Sequence, residues 1–133
     1  MNPFYLVVAR RAGNRCEYCL APEAPFNFSH EVEHIVPKAE GGSDDDTNLA
    51  LACRACNMHK SAFMLGFDET TLTSARLFNP RLDSWFEHFR IDLSQCEIIG
   101  LTEIGRATSK KLHINSPSQI RARQLWVELR IFP

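Results

Sequence analysis

Two cysteine pairs, Cys16-Glu17-Tyr18-Cys19 and Cys53-Arg54-Ala55-Cys56, stand on either side of the run Val32-Glu33-His34-Ile35-Val36-Pro37. A CxxC pair presents two thiols on one tight turn, and two such pairs supply the four soft ligands of a closed tetrahedral zinc site. The spacing therefore predicts a structural Zn2+ on Cys16, Cys19, Cys53 and Cys56. Such an ion closes a long loop and can dominate the stability of this half of the chain, with ~10–16 kcal/mol of apparent binding energy in small domains. Cys96 lies outside the pairs in an apolar stretch and reads as a buried thiol. Between the pairs lie a carboxylate and an imidazole side by side, then Asn48, and Asn57 directly follows the last cysteine.

Taken in order, Cys-x2-Cys, Glu-His-Ile-x-Pro, Asn48 and Cys-x2-Cys-Asn-x2-Lys resemble the HNH nuclease family and its ββα-metal active site, over roughly residues 12–61. The resemblance implies a metal-dependent endonuclease that hydrolyses DNA phosphodiesters to 3′-hydroxyl and 5′-phosphate ends. It implies His34 as the general base, a role an imidazole with an ordinary pKa near ~6.5 suits at neutral pH. Glu33 and Asn57 match the family's ligands to one divalent ion, Mg2+ or Mn2+, whose shell waters and substrate phosphate must complete. Asn48 matches the central asparagine, whose amide would tie down the loop between the strands and so orient His34. Relatives often carry aspartate where this chain has Glu33. Lys60 lies near Asn57 at helical spacing and is the candidate phosphate contact, whereas His59 points away. His30 could share a strand face with His34. Strict strand alternation sets Glu33 and His34 on opposite faces, so a shared phosphate requires a twist or bulge there. The rival reading is a non-catalytic, zinc-stabilised nucleic-acid-binding module, which needs no Glu33-His34-Asn57 set.

The elements that must position these residues follow from local signals. Asn2-Pro3 and Gly13 bracket a short helix over residues 3–12, with Phe4, Val7 and Val8 on one face. Residues 28–36 read as a strand ended by Pro37, 40–46 as an irregular acidic loop, 49–52 as a short apolar strand, and Asn57 to about Leu65 as helix. Farther on, a short helix near Trp85, strands near Phe89–Ile91 and Glu97–Leu101, and a Thr102-capped helix to about Leu112 are expected. Ser116-Pro117-Ser118-Gln119 is a capping box that opens a helix to about Leu129, with Ala122, Leu125, Trp126 and Leu129 as its apolar stripe. The fold class is thus α+β: a ββα-metal, treble-clef-like core at 12–61 stapled by a four-cysteine zinc site, with an N-terminal helix. A C-terminal strand and helix extension at 66–133 packs on that core, within a single domain over 1–133.

Net charge is −1, so bulk electrostatics do not announce a nucleic-acid binder. The distribution is uneven, because Arg106, Lys110, Lys111, Arg121, Arg123 and Arg130 face only Glu128 in the last stretch. With Arg10, Arg11 and Arg15, that tail is the expected phosphate-holding surface of a protein whose partner is double-stranded DNA. No apolar run approaches the ~20 residues of a membrane span, and the N-terminal charge order is wrong for a signal peptide, so a cytoplasmic location without membrane contact is expected.

Overall fold

The computed structural model describes residues 1–133. Helix α1 (Tyr5–Arg11) leads through the first cysteine turn to strand β1 (Glu31–His34). Strand β2 (Leu49–Ala52) returns antiparallel to it, pairing Glu33 with Ala50 and His34 with Leu49. Helix α2 (Arg54–Lys60) follows at once, completing a ββα unit. Pleating divides this two-stranded sheet. Val32, Leu49 and Leu51 pack against Val8 and Ala9 of α1, while Ala50 and Ala52 enter the larger core with the four paired cysteines.

Several boundaries differ from expectation. β1 begins at Glu31 rather than residue 28, because the His30 N–H is taken by the Glu23 carboxylate at 2.6 Å and not by a partner strand. α2 starts at Arg54, three residues early, because the Cys53 sulfur caps it by accepting from the Cys56 N–H at 3.5 Å. It also stops at Lys60, where Ser61 takes φ 49°. The acidic loop contains two short 3-10 turns, Lys38–Glu40 and Asp46–Asn48.

The second half adds two hairpins around one helix. β3 (Leu65–Asp68) pairs with β4 (Thr73–Arg76), a hairpin the sequence pattern does not announce. After the short α3 (Trp85–His88), β5 (Phe89–Asp92) pairs with β6 (Glu97–Gly100). Helix α4 (Glu103–Lys111) lies against both hairpins, capped by Thr102, whose hydroxyl accepts from the Gly105 N–H at 3.1 Å. A Cβ at Gly105 would sit 2.0 Å from the His88 carbonyl oxygen, so only glycine allows this approach. Helix α5 (Pro117–Glu128) is capped by Ser116, whose hydroxyl accepts from the Gln119 N–H at 3.4 Å, while the Ser116 N–H donates to the His113 carbonyl, so only half of the expected capping box forms. Its buried residues are Arg123 and Trp126, whereas Leu125 and Leu129 are exposed, so the inward face is rotated from the expected stripe. Leu112, Ile114, Trp126 and Phe132 close over the cysteines in one contiguous core. No helix is long and apolar enough to cross a membrane.

Candidate metal centre and the strand end beside it

Cys16 and Cys19 sit on the turn after α1, and Cys53 and Cys56 on the cap and first turn of α2. All four are buried, and their sulfurs lie within 4.8 Å of one another. The Cys19 and Cys53 sulfurs are 3.7 Å apart, close to the ~3.8 Å that tetrahedral geometry gives for zinc–sulfur bonds of ~2.3 Å. Each turn also points a backbone N–H at a sulfur, Cys19 at Cys16 (3.4 Å) and Cys56 at Cys53. The neighbouring thiols push the Cys53 thiol far below its ordinary pKa and those of Cys19 and Cys56 up. The donor set fits one zinc ion with no open position, a structural rather than a catalytic site.

Glu33 points from β1 into the interior and is 4% exposed. One carboxylate oxygen lies 2.5 Å from the Lys60 ammonium and the other accepts from the Tyr18 hydroxyl at 2.6 Å. Burial pushes its carboxyl pKa up, and the Lys60 charge opposes that rise. Lys60 is itself 1% exposed and donates to the Ile35 carbonyl at 2.9 Å. The expected phosphate contact at Lys60 is therefore corrected: its ammonium is an interior counter-ion. Arg15 is corrected likewise, since its guanidinium donates to the Leu20 carbonyl (3.2 Å) and the Ile131 carbonyl (2.8 Å), lacing the first turn to the C-terminus.

His34 emerges on the opposite face of β1, half-buried, with Nε2 2.8 Å from an Asp44 carboxylate oxygen. Lys38 donates to the same carboxylate at 3.0 Å. His34 and Lys38 together hold the Asp44 carboxyl below the usual carboxylate range. An ionised carboxylate only accepts, so Nε2 is the donor in this contact. Asn48 is buried beneath this loop, accepting from the Val36 N–H at 2.8 Å and donating to the Val36 and Ser43 carbonyls at 3.0 and 2.9 Å. It thus clamps the residues that follow His34 to the loop that carries Asp44.

Asn57 lies in the middle of α2, and its amide donates to the Glu31 carboxylate, with Arg54 4.0 Å from that carboxylate. This half-buried group opens on a cavity of about 460 Å3 lined also by Asn2, Tyr5 and His30. His30 is buried, its Nε2 3.0 Å from the Ala21 carbonyl oxygen. His59 stacks on His113 with centroids 4.3 Å apart.

The arrangement does not fit the expected divalent ion on Glu33 and Asn57. Glu33 has both oxygens engaged in the interior, Asn57 is bound to Glu31, and His34 faces the other side of the strand. Strand alternation wins over the twist that would have joined them. The expected phosphate-holding surface is also thinner than its residue types suggest. Arg106 binds Asp68, Lys110 pairs with Glu69 at 2.6 Å, Arg11 donates to the Asp46 and Leu49 carbonyls, and Arg123 is buried. Sequence reasoning missed Asp44, Glu31 and Tyr18. Glu31 shares the strand period of Glu33, while nothing local marks Asp44 or Tyr18 as partners.

No curated protein and no solved structure matches the chain. The family model of the HNH endonuclease matches residues 16–63, a stretch that contains all four paired cysteines, Glu33, His34, Asn48, Asn57 and Lys60. The chain carries an HNH-family domain over residues 16–63.

Proposed function

We propose that this protein is a nuclease that hydrolyses phosphodiester bonds of double-stranded DNA at the His34 end of β1. The observation that carries this reading is the partly exposed His34–Asp44 pair inside the HNH match. Asp44 fixes the imidazole so that Nδ1 faces outward as the base, and it stabilises the imidazolium that forms. In the proposed step water adds to phosphorus as its proton passes to Nδ1. The bond from phosphorus to the 3′-oxygen breaks, leaving a 5′-phosphate, and the departing oxygen is protonated from solvent.

A nicking assay on supercoiled plasmid, run in parallel with Mg2+, Mn2+ and EDTA, tests this. His34→Ala should lower cleavage by about 10²-fold or more in whichever condition supports it, with zinc content unchanged. Asp44→Asn should lower it less. Equal cleavage by wild type and His34→Ala overturns the assignment.

One observation favours a second reading. Glu33, Asn57 and Lys60 are each engaged in internal contacts, as a non-catalytic nucleic-acid-binding module would have them. Duplex binding by the wild-type chain with no cleavage in any of the three conditions would establish it.

A further inference from the structure

Arg123 has the largest of the fully buried side chains, at 0% exposure. Its Nη1 donates to the Cys96 carbonyl at 2.7 Å and to the Asn115 side-chain oxygen at 3.3 Å, and Nη2 donates to the Ile114 carbonyl at 2.9 Å. Nε is buried without a partner, and the guanidinium lies 5.8 Å from the centre of the Phe132 ring. None of the chain's ion pairs includes it. A permanently charged group buried with dipoles alone is expensive, and buried cations are ordinarily matched by a fixed negative charge. The core in which it is buried holds the four cysteines. Ile114, Trp126 and Phe132 belong to the same contiguous core as Cys16, Cys19, Cys53 and Cys56.

We infer that Arg123 is the counter-charge of the zinc-bearing four-cysteine centre, and that it couples docking of α5 to occupancy of the metal site. Four thiolates around Zn2+ carry a net charge of −2. The two backbone N–H groups aimed at the sulfurs provide only dipoles to offset it. Burial weakens the guanidinium's hold on its proton, and the cysteines around it, Cys96 included, act in the opposite direction. Cys96 lies outside the four-cysteine cluster, its sulfur turned to the Leu93 carbonyl at 3.6 Å. The coupling is reciprocal. Loss of the metal centre leaves Arg123 an unmatched buried cation, and loss of Arg123 leaves the loaded centre's charge unmatched. The family match ends at residue 63, so the charge that completes the metal centre comes from outside the matched segment.

The test is zinc release from the full chain into excess chromogenic chelator, for wild type, Arg123→Lys, Arg123→Gln and Arg123→Met. Lysine keeps the charge and loses the fork, whereas glutamine keeps neutral donors for the Cys96 and Ile114 carbonyls. If charge is the role, Arg123→Lys should stay near wild type while Arg123→Gln and Arg123→Met release zinc about tenfold faster or more. The cobalt-substituted proteins add a spectroscopic readout: thiolate-to-metal charge-transfer bands should move to lower energy in Arg123→Gln and not in Arg123→Lys. If the neutral variants fail to fold, recovery of equimolar zinc by Arg123→Lys alone supports the same conclusion. Glutamine rescuing as well as or better than lysine, or all variants failing alike, overturns it.

Discussion

The two halves of this chain hold short strands in place by different means. Each of its three sheets has only two strands, and a lone hairpin is marginal in water. In the first half the β1–β2 pair is gripped between α1 and a cysteine cluster built on the flanking turns. In the second half the β3–β4 and β5–β6 hairpins share α4 and are fastened by guanidinium forks, Arg106 on Asp68 and Arg76 on Asp83. The comparison teaches that charged residue types do not announce their duty. Lys60 and Glu33 read as a phosphate contact and a metal ligand but hold the interior together. Arg106 and Arg123 read as a DNA-facing tail but fasten the fold. Only His34, at the strand end on the opposite face, is presented outward with its partner.

The largest expected effect tests the metal side of that contrast. The Cys16→Ser/Cys53→Ser pair should abolish zinc binding and with it the fold of residues 16–63, since a closed site supplies ~10–16 kcal/mol of apparent binding energy. Elemental analysis of wild type should give about one zinc per chain, and circular dichroism of the double variant should show the loss of structure. A folded, zinc-free double variant would erase the distinction between the halves.

How much of this was readable in the sequence follows the same division. Leu49–Ala52, the Ser116 cap of α5 and the Thr102 cap of α4 were all legible, because each rests on neighbours within a few residues. The cysteine cluster was legible through its spacing. The β3–β4 hairpin was not. Leu65 and Phe67 face outward, and the turn is built by the Asp68 carboxylate, which accepts from the Thr70 N–H and the Thr71 hydroxyl and is clasped by Arg106, far along the chain. The burial of Lys60 and Arg123 was hidden for a related reason: a long cationic side chain reads as surface unless its distant partner is known. The site residues themselves were identifiable by type and order. Which of them meet was decided by strand pleating, and pleating set Glu33 and His34 apart.

A smaller effect separates buried from exposed ion pairs. Lys60→Met leaves the Glu33 carboxylate buried beside Tyr18 alone, and removing one partner of such a pair typically costs ~3–5 kcal/mol. Chemical denaturation should show this loss, and Glu33→Gln/Lys60→Met should recover much of it. Arg76→Ala in the second half should cost no more than ~1 kcal/mol, because its side chain is 49% exposed and screened by solvent. Equal costs at the two pairs would mean that burial does not distinguish the halves.

The smallest effect is a matter of pH. Asp68 is fully buried from solvent and receives Arg106 Nε and Nη2 at 2.9 and 3.0 Å, together with the Thr70 N–H and the Thr71 hydroxyl. The Arg106 hydrogen bonds hold its carboxyl well below the usual range, outweighing the upward push of burial. The folded state therefore binds this proton more weakly than the unfolded chain, whose aspartates titrate near ~3.9. The stabilisation is present in full above that value and is lost as pH falls through the lower folded one. Asp68→Asn keeps the shape and one accepting oxygen but replaces the other with a donor and removes the charge. Its deficit relative to wild type, read from denaturation midpoints, should be constant from pH 7 down to about 5 and should shrink below about 4. A deficit that does not change with pH would show that the fork works through shape alone. The carboxylate would then be as replaceable in the second half as a well-packed apolar residue.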